Sequence, residues 1–94
     1  MGVHILISGR VQGVGYRAWL KAAAEAQGVS GWTRNLADGR VEAVLLGDDD
    51  LAKRVIALAR QGPPHSRVDA IEERPAHADE CSQVSDGFRI LPTV

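Results

Sequence analysis

The sequence predicts an α+β sandwich of the ferredoxin-like kind, in which two helices cover one face of a mainly antiparallel sheet. Strand-like and helix-like segments follow one another in the order βαββαβ, with a short extra C-terminal strand. An Asp38-Gly39 step joins two strand-like runs, as expected of a hairpin. The chain has 94 residues, of which 45% are hydrophobic, so we expect residues 1–94 to form a single domain.

The first half of the chain predicts a strand, a helix and a hairpin. Val3, Ile5 and Ile7 alternate with His4, Leu6 and Ser8, which is typical of a strand with one buried face. From Tyr16, apolar side chains recur at helical spacing until Gly28, which can adopt the left-handed conformation that ends helices. The hairpin strands are expected at Val29 to Leu36 and at Arg40 to Leu46.

The second half predicts another helix and two further strands. Asp48, Asp49 and Asp50 precede the helical apolar pattern, where acidic groups favour a helix N-terminus, so we interpret them as a cap rather than a metal site. Gly62-Pro63-Pro64 ends this helix, because proline lacks the NH that a helix needs. Val68 to Ile71 and Phe88 to Leu91 are the strand candidates, and we expect Pro75 to Asp86 between them to be a loop.

Composition excludes several classes of protein. The net charge of −1 lacks the basic excess that binding a nucleic-acid backbone requires, so no nucleic-acid partner is expected. No apolar run approaches the ~20 residues of a membrane span, and the N-terminus lacks the basic start of a signal peptide. The single cysteine, Cys81, cannot close an internal disulfide. These features predict a cytoplasmic protein with no membrane partner.

Three glycines cluster at Gly9, Gly13 and Gly15, between the first strand and the first helix. Glycines at positive φ let successive NH groups point inward, which creates an anion site at a helix N-terminus. A lone Gly-x-Gly is also typical of a turn that needs glycine for its geometry alone.

The nucleotide-binding fingerprints do not fit this segment. Gly13 to Ala18 match GxGxxA, but a hairpin strand follows instead of a parallel βαβ unit, and no Gly-Lys-Ser or Gly-Lys-Thr occurs.

Arg17 favours the anion site. A cation in the first turn of a helix opposes the helix dipole at a cost of roughly 0.3 to 1 kcal/mol, and a bound anion reverses the sign of that interaction. The forked guanidinium can also grip two phosphate oxygens at once. The alternative is an arginine that extends into solvent.

Two motifs resemble the signatures of the acylphosphatases. The string GRVQGVGYR, Gly9 to Arg17, is similar to the first signature of that family, and GWTRN, Gly31 to Asn35, to the second. The segments DGRVEA, GPPHSRVD and GFRI follow in family order, so the resemblance covers nearly the whole chain. Tyr16 stands where the family often has Phe and Thr33 where it often has Val, and neither is a catalytic position.

The resemblance implies an enzyme that hydrolyses acyl phosphates, the mixed anhydrides of a carboxylic and a phosphoric acid, without metal or cofactor. Arg17 matches the arginine that holds the phosphoryl group, and Asn35 matches the asparagine that positions the attacking water. The loop whose NH groups surround the phosphoryl group comprises Gln12, Gly13, Val14, Gly15 and Tyr16. A small-molecule acyl phosphate is therefore the expected partner, and we expect a monomer.

Two alternatives remain from other classes of protein. A non-catalytic ferredoxin-like module that binds phosphate or RNA is one, but RNA binding needs aromatic residues on the central strands, and Val3 to Gly9 and Val41 to Leu46 contain none. A domain of a larger carbamoyl-transfer protein is the other, although the start at Met1 and the lack of a linker favour an independent protein.

The remaining aromatic and histidine side chains are predicted to have no role in the chemistry. Trp19 and Trp32 are expected to serve packing rather than to form a substrate platform. The three histidines lack the spacing of metal ligands, so none is assigned a role; they are His4, His65 and His77.

Overall fold

The computed structural model describes residues 2–83 and 87–94 and contains three helices and five strands within them. The elements in chain order are β1 (Gly2–Arg10), α1 (Tyr16–Ala26), β2 (Ser30–Asn35), β3 (Val41–Leu46), α2 (Asp49–Gln61), β4 (Arg67–Pro75), α3 (Ala78–Cys81) and β5 (Phe88–Ile90). Apart from the short helix α3, this order is the predicted ferredoxin-like βαββαβ arrangement with a short additional strand.

The five strands form one sheet in the order β4-β1-β3-β2-β5. β1 pairs antiparallel with β3 and β4, and β2 pairs antiparallel with β3. β5 lies outside β2 and runs parallel to it. Because β1 and β2 both run opposite to β3, they point in the same direction, and so does β5. Their carboxyl ends therefore meet at one edge of the sheet.

α1 and α2 begin and end at the residues that the sequence indicates. α1 follows Gly15, which has left-handed φ and ψ angles of 76° and 20°, and Gly28 after the helix has φ 72°. α2 is capped by Asp48, whose carboxylate accepts a hydrogen bond from the Asp50 NH at 2.8 Å, and it ends at Gly62. The interpretation of the acidic triplet as a cap is confirmed.

Apolar side chains fill the space between α1, α2 and the sheet, and they include Ile5, Ile7, Leu20, Leu45 and Val55. A second, smaller cluster lies around Trp32 and Val44.

The expectation that β1 has one buried face was wrong. His4 is 2% exposed although it alternates with Ile5 along the strand. Alternating sequence patterns cannot reveal a face that is buried by a distant segment.

Two boundaries in the second half differ from the prediction. β4 extends to Pro75, beyond the predicted Val68 to Ile71, because an edge strand with mostly exposed side chains shows no apolar alternation. Pro75 to Asp86 is not simply a loop, since Ala78–Cys81 form the helix α3, while positions 84–86 lie outside the described residues.

None of the helices in the described part of the chain is both long and apolar enough to cross a bilayer.

Candidate active site

A pocket of about 200 Å³ opens at the sheet edge where β1, β2 and β5 end. The β1–α1 loop and the first turn of α1 supply one side of it. Its lining residues are Val11, Gln12, Gly13, Gly15, Tyr16, Arg17, Ala18, Asn35 and Ile90. The two motifs of the sequence, 18 residues apart at Arg17 and Asn35, therefore meet at one site. Val14, the remaining predicted loop residue, packs its side chain against the core.

The loop presents a run of unpaired backbone donors. Gly13 and Gly15 have φ angles of 73° and 76°, which other residues rarely adopt. The first helical hydrogen bond of this segment joins the Trp19 NH to the Gly15 carbonyl at 3.1 Å. Among the described residues, the NH groups from Gln12 to Ala18 find no acceptor. Such NH groups at a helix N-terminus attract an anion.

Two side chains fix this loop to its surroundings. The Tyr16 hydroxyl donates to the Ala59 carbonyl of α2 at 2.7 Å, and burial raises the pKa of Tyr16 far above its usual value, so it stays neutral. The Gln12 amide donates to the Leu36 and Arg40 carbonyls of the β2–β3 hairpin, at 2.8 and 2.9 Å. The sequence suggested only a backbone role for Gln12, whereas its side chain ties the loop to the hairpin that presents Asn35.

Arg17 lies at the pocket with its charge unneutralised. It makes no ion pair with any carboxylate of the described residues, and the first turn of α1 has no acidic side chain. Its guanidinium and the positive end of the helix dipole therefore act together on the pocket. A bound anion would remove the repulsion between them.

Asn35 ends β2 and lines the pocket. Its Oδ1 atom is buried and has no hydrogen-bond partner among the described residues. A buried acceptor without a donor costs roughly 1 to 3 kcal/mol, so such an atom is usually completed by a ligand or a water molecule. Phosphate oxygens are themselves acceptors, whereas water can donate to Oδ1.

Gly9 has a different role from the other two glycines of the cluster. Its φ is 127°, and a Cβ atom there would lie 2.1 Å from the Arg67 carbonyl oxygen of β4. The pairing of β1 with β4 shifts register between Ser8 and Gly9. Gly9 is therefore required for the close approach of two strands, not for the pocket.

The tryptophans pack as predicted. Trp19 lies against the main core, with its ring centroid 6.0 Å from that of Tyr16. Trp32 is buried in the second cluster, and the Arg34 guanidinium stacks over its ring at 4.8 Å. Neither residue lines the pocket, so neither offers a platform to a ligand there.

His4, Glu42 and Glu80 form a cluster that the sequence did not indicate. The His4 Nε2 atom lies 2.7 Å from Glu42 Oε2 and 3.8 Å from Glu80 Oε2, and three such groups can in principle hold a metal. Arg34 Nε lies 2.6 Å from Glu42 and Arg74 Nη2 lies 2.8 Å from Glu80, so each carboxylate already forms an ion pair with an arginine. This arrangement favours an ion-pair network over a metal site.

The network lowers the pKa of both carboxyl groups. Burial by itself raises the pKa of Glu42, but hydrogen bonds from His4 and Arg34 outweigh this effect and hold it below its ordinary value. For Glu80, hydrogen bonds from Arg74 and the His77 NH lower the pKa to about 2. The charged forms are therefore the ones that stabilise the fold.

Comparison with known proteins adds independent observations. The family model described as Acylphosphatase matches residues 3–90. An acylphosphatase of Bradyrhizobium diazoefficiens is 47% identical over 94 residues, which cover 98% of this chain and 95% of that protein. A second, from Rhodopseudomonas palustris, is 48% identical over 93 residues, covering 97% of this chain and 94% of that protein.

Solved structures agree with these relatives. The crystal structure of acylphosphatase from Bacillus subtilis superposes with a TM-score of 0.83 at 28% identity and covers 96% of this chain and 97% of that one. A full-length HypF, in a phosphate- and nucleotide-bound form, gives a TM-score of 0.82 at 26% identity, with 98% of this chain matching 12% of that protein.

Proposed function

The chain belongs to the acylphosphatase family, and we propose that it hydrolyses acyl phosphates in the pocket between the Gln12–Arg17 loop and Asn35. The protein is an acylphosphatase, a hydrolase that cleaves the anhydride bond between a carboxylic and a phosphoric acid. The observation that supports this location is a convergence of unsatisfied groups. Residues that line one small pocket carry free NH donors, an unpaired guanidinium and a buried amide oxygen without a hydrogen-bond partner.

The loop and Arg17 are proposed to bind the phosphoryl group. The unpaired NH groups of Gln12, Gly13, Val14, Gly15 and Tyr16 donate to its oxygens. The Arg17 guanidinium adds two parallel, charge-assisted hydrogen bonds. Both sets of donors belong to segments that Tyr16 and Gln12 hold in place, so little reorganisation accompanies binding. Donors fixed in this way stabilise the charge that spreads over the phosphoryl oxygens during transfer.

Asn35 is proposed to position the water. Its Oδ1 accepts a hydrogen bond from the water, whose oxygen attacks phosphorus while the bond from phosphorus to the acyl oxygen breaks. The carboxylate leaves with the electron pair of that bond and needs no general acid, because it is a weak base. The two water protons remain on the phosphoryl oxygens, so an acyl phosphate dianion gives a carboxylate and dihydrogen phosphate. The pocket lining includes no Asp, Glu or His to act as base.

The reaction class is tested by assaying acetyl phosphate beside glycerol phosphate, a phosphate monoester whose leaving group is a much stronger base. We expect hydrolysis of acetyl phosphate and no measurable hydrolysis of the monoester. Equal rates on both, or none on acetyl phosphate, would refute the proposed function. Arg17→Ala provides the active-site control, because contaminating phosphatase activity would survive that change.

The organisation of the protein is also a proposal. Residues 1–94 are proposed to act as a single, monomeric, cytoplasmic domain without a nucleic-acid or membrane partner. The family match over residues 3–90 and the single sheet that all described strands share support one domain. A sedimentation mass near 10.1 kDa is expected for the monomer. The alternative of an RNA-binding module is not favoured, since the aromatic Trp32 is buried rather than available for stacking.

A further inference from the structure

The pocket has an apolar part that the catalytic groups do not use. Val11 and Tyr16 add little accessible apolar surface to the pocket, since both are 1% exposed and their side chains belong to the core. Ile90 is different, because it is 41% exposed while lining the same pocket. The exposed methyl group of Ala18 is the other accessible apolar side chain of the lining.

Ile90 is held in a fixed position. It lies on β5, where it pairs with Thr33 of β2, and the following NH, that of Leu91, donates to the Thr33 carbonyl at 2.9 Å. At the other end of the same strand, Phe88 is buried, and its carbonyl accepts a hydrogen bond from Lys21 Nζ at 2.9 Å. A side chain on a paired, anchored strand can present a defined surface to a ligand.

An acyl phosphate has two chemically distinct ends. The phosphoryl end matches the NH groups and Arg17. The other polar side chains of the lining are already engaged, Gln12 with the hairpin and Tyr16 with α2, and Asn35 is assigned to water, so no polar side chain is left for the acyl end. An acyl group that reaches beyond the donors contacts the part of the lining that is apolar and accessible. Single exposed apolar residues are common on protein surfaces, but this one lies in the wall of the pocket.

We propose that Ile90, assisted by Ala18, is the specificity-determining residue for the acyl group, and that the preferred substrates have an alkyl or aryl acyl group larger than acetyl. This inference rests on the proposed function of the pocket. Contact with Ile90 removes apolar surface of both partners from water, which favours a larger apolar acyl group over a small one.

The test compares kcat/KM for benzoyl phosphate and acetyl phosphate in the wild type and in Ile90→Ala. The wild type should prefer benzoyl phosphate. The ratio of the two kcat/KM values should fall about tenfold in Ile90→Ala, the lower end of what hydrophobic pockets contribute per methylene. Ile90→Leu, which keeps an apolar side chain of equal size, should retain most of the preference. A residue that only supported the fold would change both substrates alike.

Val94→Ala is the matched control, because Val94 is also apolar and 60% exposed but does not line the pocket. Its substrate ratio should equal that of the wild type. An unchanged ratio in Ile90→Ala, with both substrates still cleaved, would overturn this inference and leave the proposed function standing. A wild type that cleaves neither acyl phosphate would instead overturn the proposed function and this inference with it.

Discussion

Arg17 and Asn35 are both unpaired in the described structure, but they require opposite kinds of partner. The guanidinium of Arg17 only donates hydrogen bonds, so it matches the oxygens of a phosphoryl group. The buried Oδ1 of Asn35 only accepts them, so it matches water rather than phosphate. This difference assigns the two residues to different steps and predicts different consequences of removing them.

Arg17→Lys should behave like a deletion. Lysine places a point charge on a flexible stem and cannot reproduce two parallel hydrogen bonds to one phosphoryl group. We expect kcat/KM for acetyl phosphate to fall on the order of 10²-fold or more, close to the value for Arg17→Ala. Arg89→Lys, at an exposed position of β5 outside the pocket, is the control and should have wild-type activity. Near wild-type turnover in Arg17→Lys would exclude a bidentate interaction between the Arg17 guanidinium and the phosphoryl oxygens.

Asn35→Ala should separate turnover from binding. Without Oδ1 the water is no longer oriented, so kcat should fall on the order of 10² to 10³-fold, the usual effect of losing one transition-state hydrogen bond. The inhibition constant of inorganic phosphate should stay near its wild-type value, because the loop and Arg17 remain. A parallel loss of phosphate affinity would show that Asn35 binds the phosphoryl group instead.

At the scale of elements, the pocket depends on contacts that connect separate segments. The β1–α1 loop is fixed to α2 by Tyr16 and to the hairpin by Gln12, over sequence separations of 43 and 24 to 28 residues. The short helix α3 is fixed in a similar way on the other side of the sheet. Glu80 of α3 accepts two hydrogen bonds from Arg74 of β4, and its carbonyl accepts one from Trp32 of β2.

The attachment of α3 predicts a loss of stability in acid. The pKa of Glu80 is about 2 in the folded protein against an ordinary 4.5, so the unfolded state binds protons first as the pH falls. Its contribution is present in full above pH 4.5 and is lost progressively toward pH 2. Unfolding measured by urea titration between pH 6 and 2.5 should show this decline.

Glu80→Gln should flatten part of that pH dependence, because glutamine has no proton to gain and cannot form the ion pair. Glu72→Gln is the matched control, since Glu72 is an exposed carboxylate of β4 with no ion pair among the described residues. The two variants should differ in the slope of stability against pH below 4.5. Identical slopes would mean that the Arg74–Glu80 contact contributes nothing to acid sensitivity.

The elements around the pocket also predict catalysis that survives chelation. The lining side chains offer no carboxylate, imidazole or thiol, which are the usual protein ligands of catalytic metals. Turnover of acetyl phosphate should therefore be unaffected by excess EDTA. A loss of activity that added Mg²⁺ or Zn²⁺ restores would show that the chemistry of the site has been misinterpreted.

At the scale of the whole molecule, a ligand of the pocket should stabilise the fold. Inorganic phosphate is a product of the reaction and should occupy the site of the phosphoryl group. At 100 times its Kd, a ligand adds about 2.7 kcal/mol to the free energy of unfolding. For a domain of this size each kcal/mol raises Tm by about 4 to 8 °C, so calorimetry at low millimolar phosphate should detect the shift.

Arg17→Ala is the comparison that isolates site binding. Phosphate also stabilises proteins by exclusion from their surfaces, and that effect is nearly the same in both proteins. Most of the shift in Tm should disappear in the variant, and an equal shift in both would leave the binding site unsupported.

The sequence by itself determined the order of the elements other than α3, the ends of α1 and α2, and the two motifs of the pocket. These properties depend on local patterns: the helical spacing after Tyr16, the Asp38-Gly39 turn, the Asp48 cap and the positive φ that Gly13 and Gly15 permit. Each is decided by residues a few positions apart, which a linear sequence displays directly. The roles assigned to Arg17 and Asn35 stay predictions that the experiments above test.

Only the tertiary structure decided which distant residues share a site. Ile90 reaches the pocket because β5 pairs parallel with β2, and His4 is buried because Glu42 and Glu80 come to it from 38 and 76 positions away. Gly9 is needed because the Arg67 carbonyl approaches it. Polar edge strands and ion pairs of this kind leave no periodic signal, since their partners are chosen by strand order and packing rather than by neighbouring residues.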